Sequence, residues 1–202
     1  NKILTPDYFC LDMWNYKKAN LQKLITLNKL SYPIIIKPTD EGSSIGVKIC
    51  KNLTSLKLSS KNLFKIYKNL IFEKFIPGQE VQVAVINNKA LGAIELKPRR
   101  TFYDYKAKYQ KSANTEHIMP ANILKKNYKK VLKIAEKAHK SLKCKGVTRA
   151  DFKFFKNKFY LLEVNTQPGM TSLSLVPEIA KYKNISFEKL VKRIILDASL
   201  NR

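Results

Sequence analysis

FYLLEVNTQPGMTS, Phe159 to Ser172, decides how the rest of the chain is read. Residues 159–165 have the make-up of a strand, yet Glu163 and Asn165 sit two positions apart in it, just before the Pro168–Gly169 turn. Successive strand side chains alternate faces, so these two point the same way, about 7 Å apart by strand rise. Tyr160, Leu162 and Val164 then point the other way. The upstream run TRADFKFFKNK, Thr148 to Lys158, supplies a partner strand. With Lys156-Asn157-Lys158 as a three-residue hairpin loop, Phe155 opposes Phe159. Counting outward, Phe154 faces Tyr160, Phe152 faces Leu162, Asp151 faces Glu163 and Arg149 faces Asn165. One face is aromatic and aliphatic. The other sets two carboxylates opposite each other, which by itself destabilises a sheet.

Two kinds of counter-charge can offset that repulsion. Lys153 or Arg149 could do so as part of a surface cluster of little energetic weight. A divalent cation could do so as well. Two carboxylates and an amide oxygen are hard ligands suited to Mg²⁺, which keeps waters and takes phosphate oxygens as its remaining ligands. The ribbon alone leaves both readings open.

Composition narrows the setting. A chain of 202 residues with 45% hydrophobic content, ten Phe and ten Tyr can bury a sizeable core and is not disordered. No apolar run approaches the ~18 residues of a membrane span, and the first residues lack a signal-peptide layout. Cys10, Cys50 and Cys144 are odd in number and widely spaced. They read as reduced, cytosolic and structural. His117 and His139 have no Cys or His at metal-ligand spacing, which argues against zinc. The net charge of +24 invites a nucleic-acid reading. The charge is nearly all Lys, however, with Arg only at 99, 100, 149, 193 and 202. Base and phosphate readers favour Arg forks, so the charge favours anionic ligands without naming one.

The pattern predicts α+β elements with antiparallel pairs, dividing near Gly78. A helix is expected over about Asp12–Leu30, from Trp14, Leu21, Leu24 and Leu27. SYPIIIKP reads as a buried strand closed by Pro38, followed by a Gly/Ser loop and the strand IGVKIC. Leu53 to Leu70 reads as one helix or two, with Leu63, Ile66, Tyr67 and Leu70 along a stripe. LIFEKFI, EVQVAVI and ALGAIEL read as strands, the last two joined at Asn87-Asn88. Residues 97–120 form a long aperiodic segment, of the kind that is more often functional than inert. A helix follows from Ala121 to Leu142, with Leu124, Tyr128, Val131, Leu132, Ala135, Ala138 and Leu142 inward. A second loop spans 166–176. A final helix is capped by Ser186 and turns Phe187, Leu190, Val191, Ile194 and Ile195 to the core.

Several stretches could carry chemistry. In KPTDEGSSIG, Lys37 ends a strand and Gly42 and Gly46 flank hydroxyls that could meet phosphates. It is not a Walker loop, and a plain β-turn explains it as well. In FEKFIPGQE, Glu73 and Glu80 read either as solvated edge carboxylates or as the ribose-binding rim of a hinge. The backbone of Lys74, Phe75 and Ile76 would read an adenine edge there. Lys108 and Tyr109 could close over phosphates as a lid, or YDYKAKY could pack its rings on a surface.

In order along the chain, the strand-end Lys37, EGSSIG, EKFIPGQE, FYDYKAKY, RAD, LLEVNTQPGMTSLSLVP and ISFEKLV resemble the D-alanine:D-alanine ligases of the ATP-grasp superfamily. The likeness spans nearly the whole chain. It implies an ATP-grasp fold: a small lobe over residues 1–80 and a large lobe over 81–202, with antiparallel sheets enclosing a nucleotide site. It also implies ATP-dependent joining of two D-alanines through an acyl phosphate, for peptidoglycan synthesis in the cytoplasm.

By the same resemblance, Lys37 contacts ATP phosphates, and Glu73, Lys74, Phe75, Ile76 and Glu80 hold adenine and ribose. Lys108 reaches the γ-phosphate. Asp151, Glu163 and Asn165 bind two Mg²⁺, for which Mn²⁺ could substitute. Arg149 and the Gly169 N–H form an oxyanion hole, and Ser174 and Leu175 contact a substrate carboxylate. Ser43 and Tyr109 join a hydrogen-bonded group near the first D-alanine, with Tyr109 favouring D-alanine as second substrate over D-lactate. The expected partners are ATP and D-alanine, with no nucleic acid and no membrane, and a homodimer at full length. Family members carry about a hundred residues more, as an N-terminal domain. The resemblance therefore implies that this stretch alone binds ATP-Mg weakly and ligates poorly. An ATP-binding remnant without ligase activity, or a basic nucleic-acid module, are the alternatives.

Overall fold

A computed structural model describes residues 2–42, 44–98, 115–171 and 174–198. They fall into two units: one runs Pro6–Ile76, and the other takes Pro77–Lys97 and the chain from Glu116 on, with the first few residues joined to it.

The first unit has a four-stranded sheet in the order β1-β4-β2-β3, built from β1 (Tyr8–Asp12), β2 (Ile34–Pro38), β3 (Lys48–Cys50) and β4 (Asn69–Lys74), every pair antiparallel. Its core is the β-branched run of β2 with the chain around it: Ile34, Ile36, Leu70 and Phe72 are fully buried. Phe9 stacks on Phe72, ring centroids 4.8 Å apart. Helix α3 (Leu53–Leu63) closes the core with Leu56 and Leu63, and a capping box at Asn52 and Ser55 starts it.

The helix expected over 12–30 is broken into α1 (Met13–Lys18) and α2 (Leu21–Leu27). Asp12 accepts from Asn15 N and Asn20 from Lys23 N, so each short helix has its own cap. The break turns Trp14 and Leu27 out to solvent. Ile66 is likewise exposed, because α3 ends at Leu63 and Leu70 already belongs to β4.

The second unit is a five-stranded antiparallel sheet, order β7-β6-β5-β8-β9. It comprises β5 (Gln79–Ile86), β6 (Lys89–Lys97), β7 (Glu116–Ile118), β8 (Val147–Phe155) and β9 (Lys158–Asn165). Strand β7 lies inside the stretch read as aperiodic. Gly78, at φ +106°, leads into β5, and a Cβ there would run into the Phe154 carbonyl. Helix α4 (Lys125–Ser141) covers one face with Val131 and Ala135, against Val81, Val83, Val85, Ala93, Ala150 and Phe152. Leu124 and Leu142, expected inside, lie beyond its ends and are exposed. Two short helices follow, α5 (Leu175–Tyr182) and α6 (Phe187–Asp197). Helix α5 falls where no helix is expected. Helix α6 begins at the Ser186 cap as expected but buries only Leu190, leaving Phe187 and Ile195 exposed.

The decisive hairpin differs from its expected register at the tip. Lys156 and Asn157, both at positive φ, form a two-residue turn, so Phe155 faces Lys158, Phe154 faces Phe159 and Phe152 faces Leu161. A β-bulge between Phe152 and Asp151 absorbs Leu162. Beyond it the expected pairs hold: Asp151 faces Glu163 and Arg149 faces Asn165.

His139, fully buried on α4, bonds the Thr148 hydroxyl through Nδ1 at 2.8 Å. Burial pushes its imidazole below the ordinary value, against an opposing pull from Asp197. The unfolded chain therefore takes up this proton first as pH falls. Stability from the neutral ring is complete above about 6.5 and drains away below it. The thermal midpoint is expected to fall further between pH 7 and pH 5 in the wild type than in His139→Asn; equal slopes would refute this.

Candidate functional site

In the second unit, strand alternation and the bulge set the residues facing away from α4. These are Glu80 and Gln82 on β5, Arg149, Asp151 and Lys153 on β8, and Tyr160, Glu163 and Asn165 on β9. The opposed carboxylates are thus real neighbours. Their counter-charge is Arg149, which forks onto Asp151 with Nε to Oδ1 at 2.8 Å and Nη2 to Oδ2 at 2.9 Å. Its Nη2 also stands 4.0 Å from Glu163. Lys153 instead pairs with Glu80 at 3.0 Å. Three acidic and two basic side chains thus share the face, which carries one net negative charge when all are ionised. Asp151 is nearly buried, whereas half of the Glu163 side chain is exposed.

The donors suit a hard cation. Asp151 spends one interaction per oxygen on Arg149, and a carboxylate offers about four lone-pair sites. Asn165 Oδ1 accepts from Gln167 N at 2.9 Å and keeps a second lone pair. Among the described residues no group of three or more His, Cys, Asp and Glu could hold a metal by itself. Two carboxylates and an amide are an incomplete shell, of the kind Mg²⁺ fills with water and phosphate oxygens.

Past β9 the chain turns back on itself. Ser174 Oγ accepts from Thr171 N at 3.0 Å and lies so close to Gly169 that a Cβ there would come within 2.8 Å of it. Gly169 is therefore confined beside Ser174, and Leu175 is buried at the start of α5.

In the first unit, Lys37 on β2 and Glu73 on β4 form a part-buried ion pair at 3.0 Å. Lys74 Nζ is 3.8 Å from Asp7, the Lys74 N–H donates to Asp7 O, the Phe75 N–H donates to Pro33 O, and Ile76 is buried. The glycine loop is a tight turn: Ile45 N donates to Gly42 O at 2.9 Å, and Gly46 has φ +72°. Ser43, Lys108 and Tyr109 lie outside the described residues.

Of the expected residues, the structure gathers Arg149, Asp151, Glu163, Asn165 and Glu80 on one face, Gly169 with Ser174, and Lys37 with Glu73. Sequence reasoning offered Lys153 as a counter-charge to the opposed carboxylates, whereas it pairs with Glu80, and did not place Gln82 on this face. Strand alternation from Glu80 would have put Gln82 on this face.

The family described as "D-ala D-ala ligase C-terminus" matches residues 2–196. The chain belongs to that family. The D-alanine–D-alanine ligase of Pelagibacter ubique is 57% identical over all of this chain and 65% of its own length. The Bacillus anthracis D-alanine–D-alanine ligase complexed with ATP is 30% identical, with a TM-score of 0.80 over 96% of this chain and 61% of that one. The VanG D-Ala:D-Ser ligase of Enterococcus faecalis is 29% identical, with a TM-score of 0.83 over 96% of this chain and 56% of that one. The chain thus spans about two thirds of these relatives or less, and carries the family's ATP-grasp fold.

Proposed function

We propose that this chain is the ATP- and metal-binding portion of a cytoplasmic D-alanine–D-alanine ligase that makes D-alanyl-D-alanine for peptidoglycan. The observation that carries the reading is the direct pairing of Asp151 with Glu163, beside Arg149 and Asn165, on the face of the sheet away from α4. Among the described residues no helix is long and apolar enough to cross a membrane.

In this reading Asp151, Glu163 and Asn165 hold two Mg²⁺, with Mn²⁺ an acceptable substitute. The ions, when bound, neutralise triphosphate charge during phosphoryl transfer. Glu80 takes ribose hydroxyls, and Lys153 orients its carboxylate. Lys37, held by Glu73, meets the phosphates as a point charge. Since the N–H groups of Lys74 and Phe75 are committed within the protein, reading of the adenine edge falls to Ile76 and the neighbouring carbonyls. Lys108 closes over the γ-phosphate. Sealing that region keeps water from the acyl phosphate.

The carboxylate of the first D-alanine takes the γ-phosphoryl group and ADP leaves. The neutral amine of the second D-alanine then attacks the acyl carbon; the C–N bond forms as the C–O bond to phosphate breaks, and phosphate and a proton are released. Arg149 and the Gly169 N–H donate to the oxyanion that develops. Ser174 and Leu175 receive a substrate carboxylate, and Ser43 and Tyr109 orient the first D-alanine. Tyr109 supports D-alanine as second substrate; the likeness to a D-Ala:D-Ser ligase means that fold alone does not choose it. The full-length enzyme pairs as a homodimer.

The test joins this chain to the part of the Pelagibacter relative that it does not cover and follows phosphate release from ATP. Release that requires D-alanine is expected. ATP turnover indifferent to D-alanine, or none, would overturn the reading.

A further inference from the structure

Gln82 is 1% exposed in the middle of β5, directly across from Asp151 on β8. Its Nε2 donates to Glu80 Oε1 at 3.4 Å, but its Oε1 has no partner. Buried side-chain carbonyls are nearly always paired, and an orphan is a standing cost. The rest of this part of β5 is apolar, with Val81, Val83, Ala84, Val85 and Ile86 all buried, so an aliphatic residue would fill the place without that cost.

The two cations nearest in register are engaged elsewhere, Lys153 on Glu80 and Arg149 on Asp151. A ligand can bring the missing donor. Along the sheet, the orphan sits between Glu80, already met by Gln82's own amide and by Lys153, and the carboxylate pair Asp151–Glu163. Mg²⁺ at such a pair keeps several of its waters. Their O–H groups, polarised by the ion, are strong donors in need of fixed acceptors.

We propose that Gln82 is a positioning residue for the metal site, its Oε1 accepting a hydrogen bond from a water carried by the cation that Asp151 and Glu163 bind. This rests on the functional reading given above. Gln82 touches neither phosphate nor D-alanine; it fixes the orientation of the hydrated ion through that water.

The experiment uses the chain joined to the uncovered part of its Pelagibacter relative, with a fluorescent ATP analogue as probe. Mg²⁺ is titrated at fixed nucleotide, and nucleotide is titrated at saturating Mg²⁺, in wild type, Gln82→Met and Gln82→Glu. Outer-shell partners of a metal are worth about 10–100-fold in affinity, so Gln82→Met is expected to raise the Mg²⁺ midpoint about tenfold or more. Nucleotide affinity at saturating Mg²⁺ should stay within about threefold, since no contact to the nucleotide is lost. The ligand-free thermal midpoint should hold or rise, because the orphan acceptor is gone. Gln82→Glu keeps an acceptor and should hold the wild-type midpoint or lower it, which keeps the comparison usable should the methionine variant fold poorly.

A Gln82→Met midpoint within about twofold of wild type would overturn the proposal. So would an equal loss of nucleotide affinity at saturating Mg²⁺, which would put the donor on the nucleotide. Wild type that binds nucleotide with no dependence on Mg²⁺ would remove the functional reading together with this one. Normal Mg²⁺ dependence in wild type with an unmoved variant removes this inference alone.

Discussion

If the proposed reading holds, Glu163→Gln in the chain joined to the uncovered part of its Pelagibacter relative is expected to leave the protein folded while lowering D-alanine-dependent phosphate release by about two to three orders of magnitude. Charge stabilisation by a bound metal is worth several kcal/mol, and each 1.4 kcal/mol is tenfold in rate. The substitution keeps the volume and one oxygen but removes the charge that would hold the ion. Half of the Glu163 side chain is exposed, and its ion pair with Arg149 is a long one, at 4.0 Å. Stability should therefore move by no more than about 0.5 kcal/mol. Asp151→Asn is the informative contrast. It leaves Arg149, whose side chain is only 15% exposed, without its fork partner, and breaking a buried pair costs about 3–5 kcal/mol. It should thus lose activity and stability together. Thermal unfolding and phosphate release on both variants check this. Activity of Glu163→Gln within about threefold of wild type would remove Glu163 from the metal site.

The second large effect lies next to Asp151 in β8 and is wholly a matter of packing. Phe152 is fully buried, edge-on to Phe159 at 6.2 Å, and Phe159 in turn stacks on Phe154 at 4.4 Å. Phe152→Ala leaves a cavity under α4 and is expected to cost about 3–5 kcal/mol. At about 2–4 °C per kcal/mol for a chain of this size, the midpoint should drop by roughly 10 °C. A drop under about 3 °C would mean that the aromatic cluster does not hold the second sheet together. The link to function is geometric. Phe152 is pinned against α4, so its neighbours Asp151 and Lys153 must face the other way.

Much of this was legible from residue types. The run of β2, the alternation of β5 and the Asn87-Asn88 turn announce antiparallel strands, and Ser186 announces α6. Asp151, Glu163, Arg149 and Asn165 were placed on one face from parity alone. What escaped has local causes. The 12–30 helix broke because Asp12 and Asn20 each offer a cap, and two capped short helices override a loose apolar period. Helix α5, where no helix was expected, carries Pro177 in its first turn, where the missing N–H is no loss. The orphaned carbonyl of Gln82 was out of reach, because it depends on which donors its neighbours have already taken. The tip register was misjudged by a residue since Lys156-Asn157 lacks the glycine that marks a two-residue turn.

That misjudged tip nonetheless led to the right partners for the acidic end, and the reason says something about how such a ribbon can drift. Leu162 and the length of the turn stand to each other as a frameshift and its suppressor. Draw Lys158 into the turn, or straighten the bulge with Leu162 kept, and the pairing slips by one residue, so that Glu163 and Asn165 leave their places opposite Asp151 and Arg149. Make both changes at once and they stay where they are, so a descendant of this chain could trade one solution for the other without moving either carboxylate.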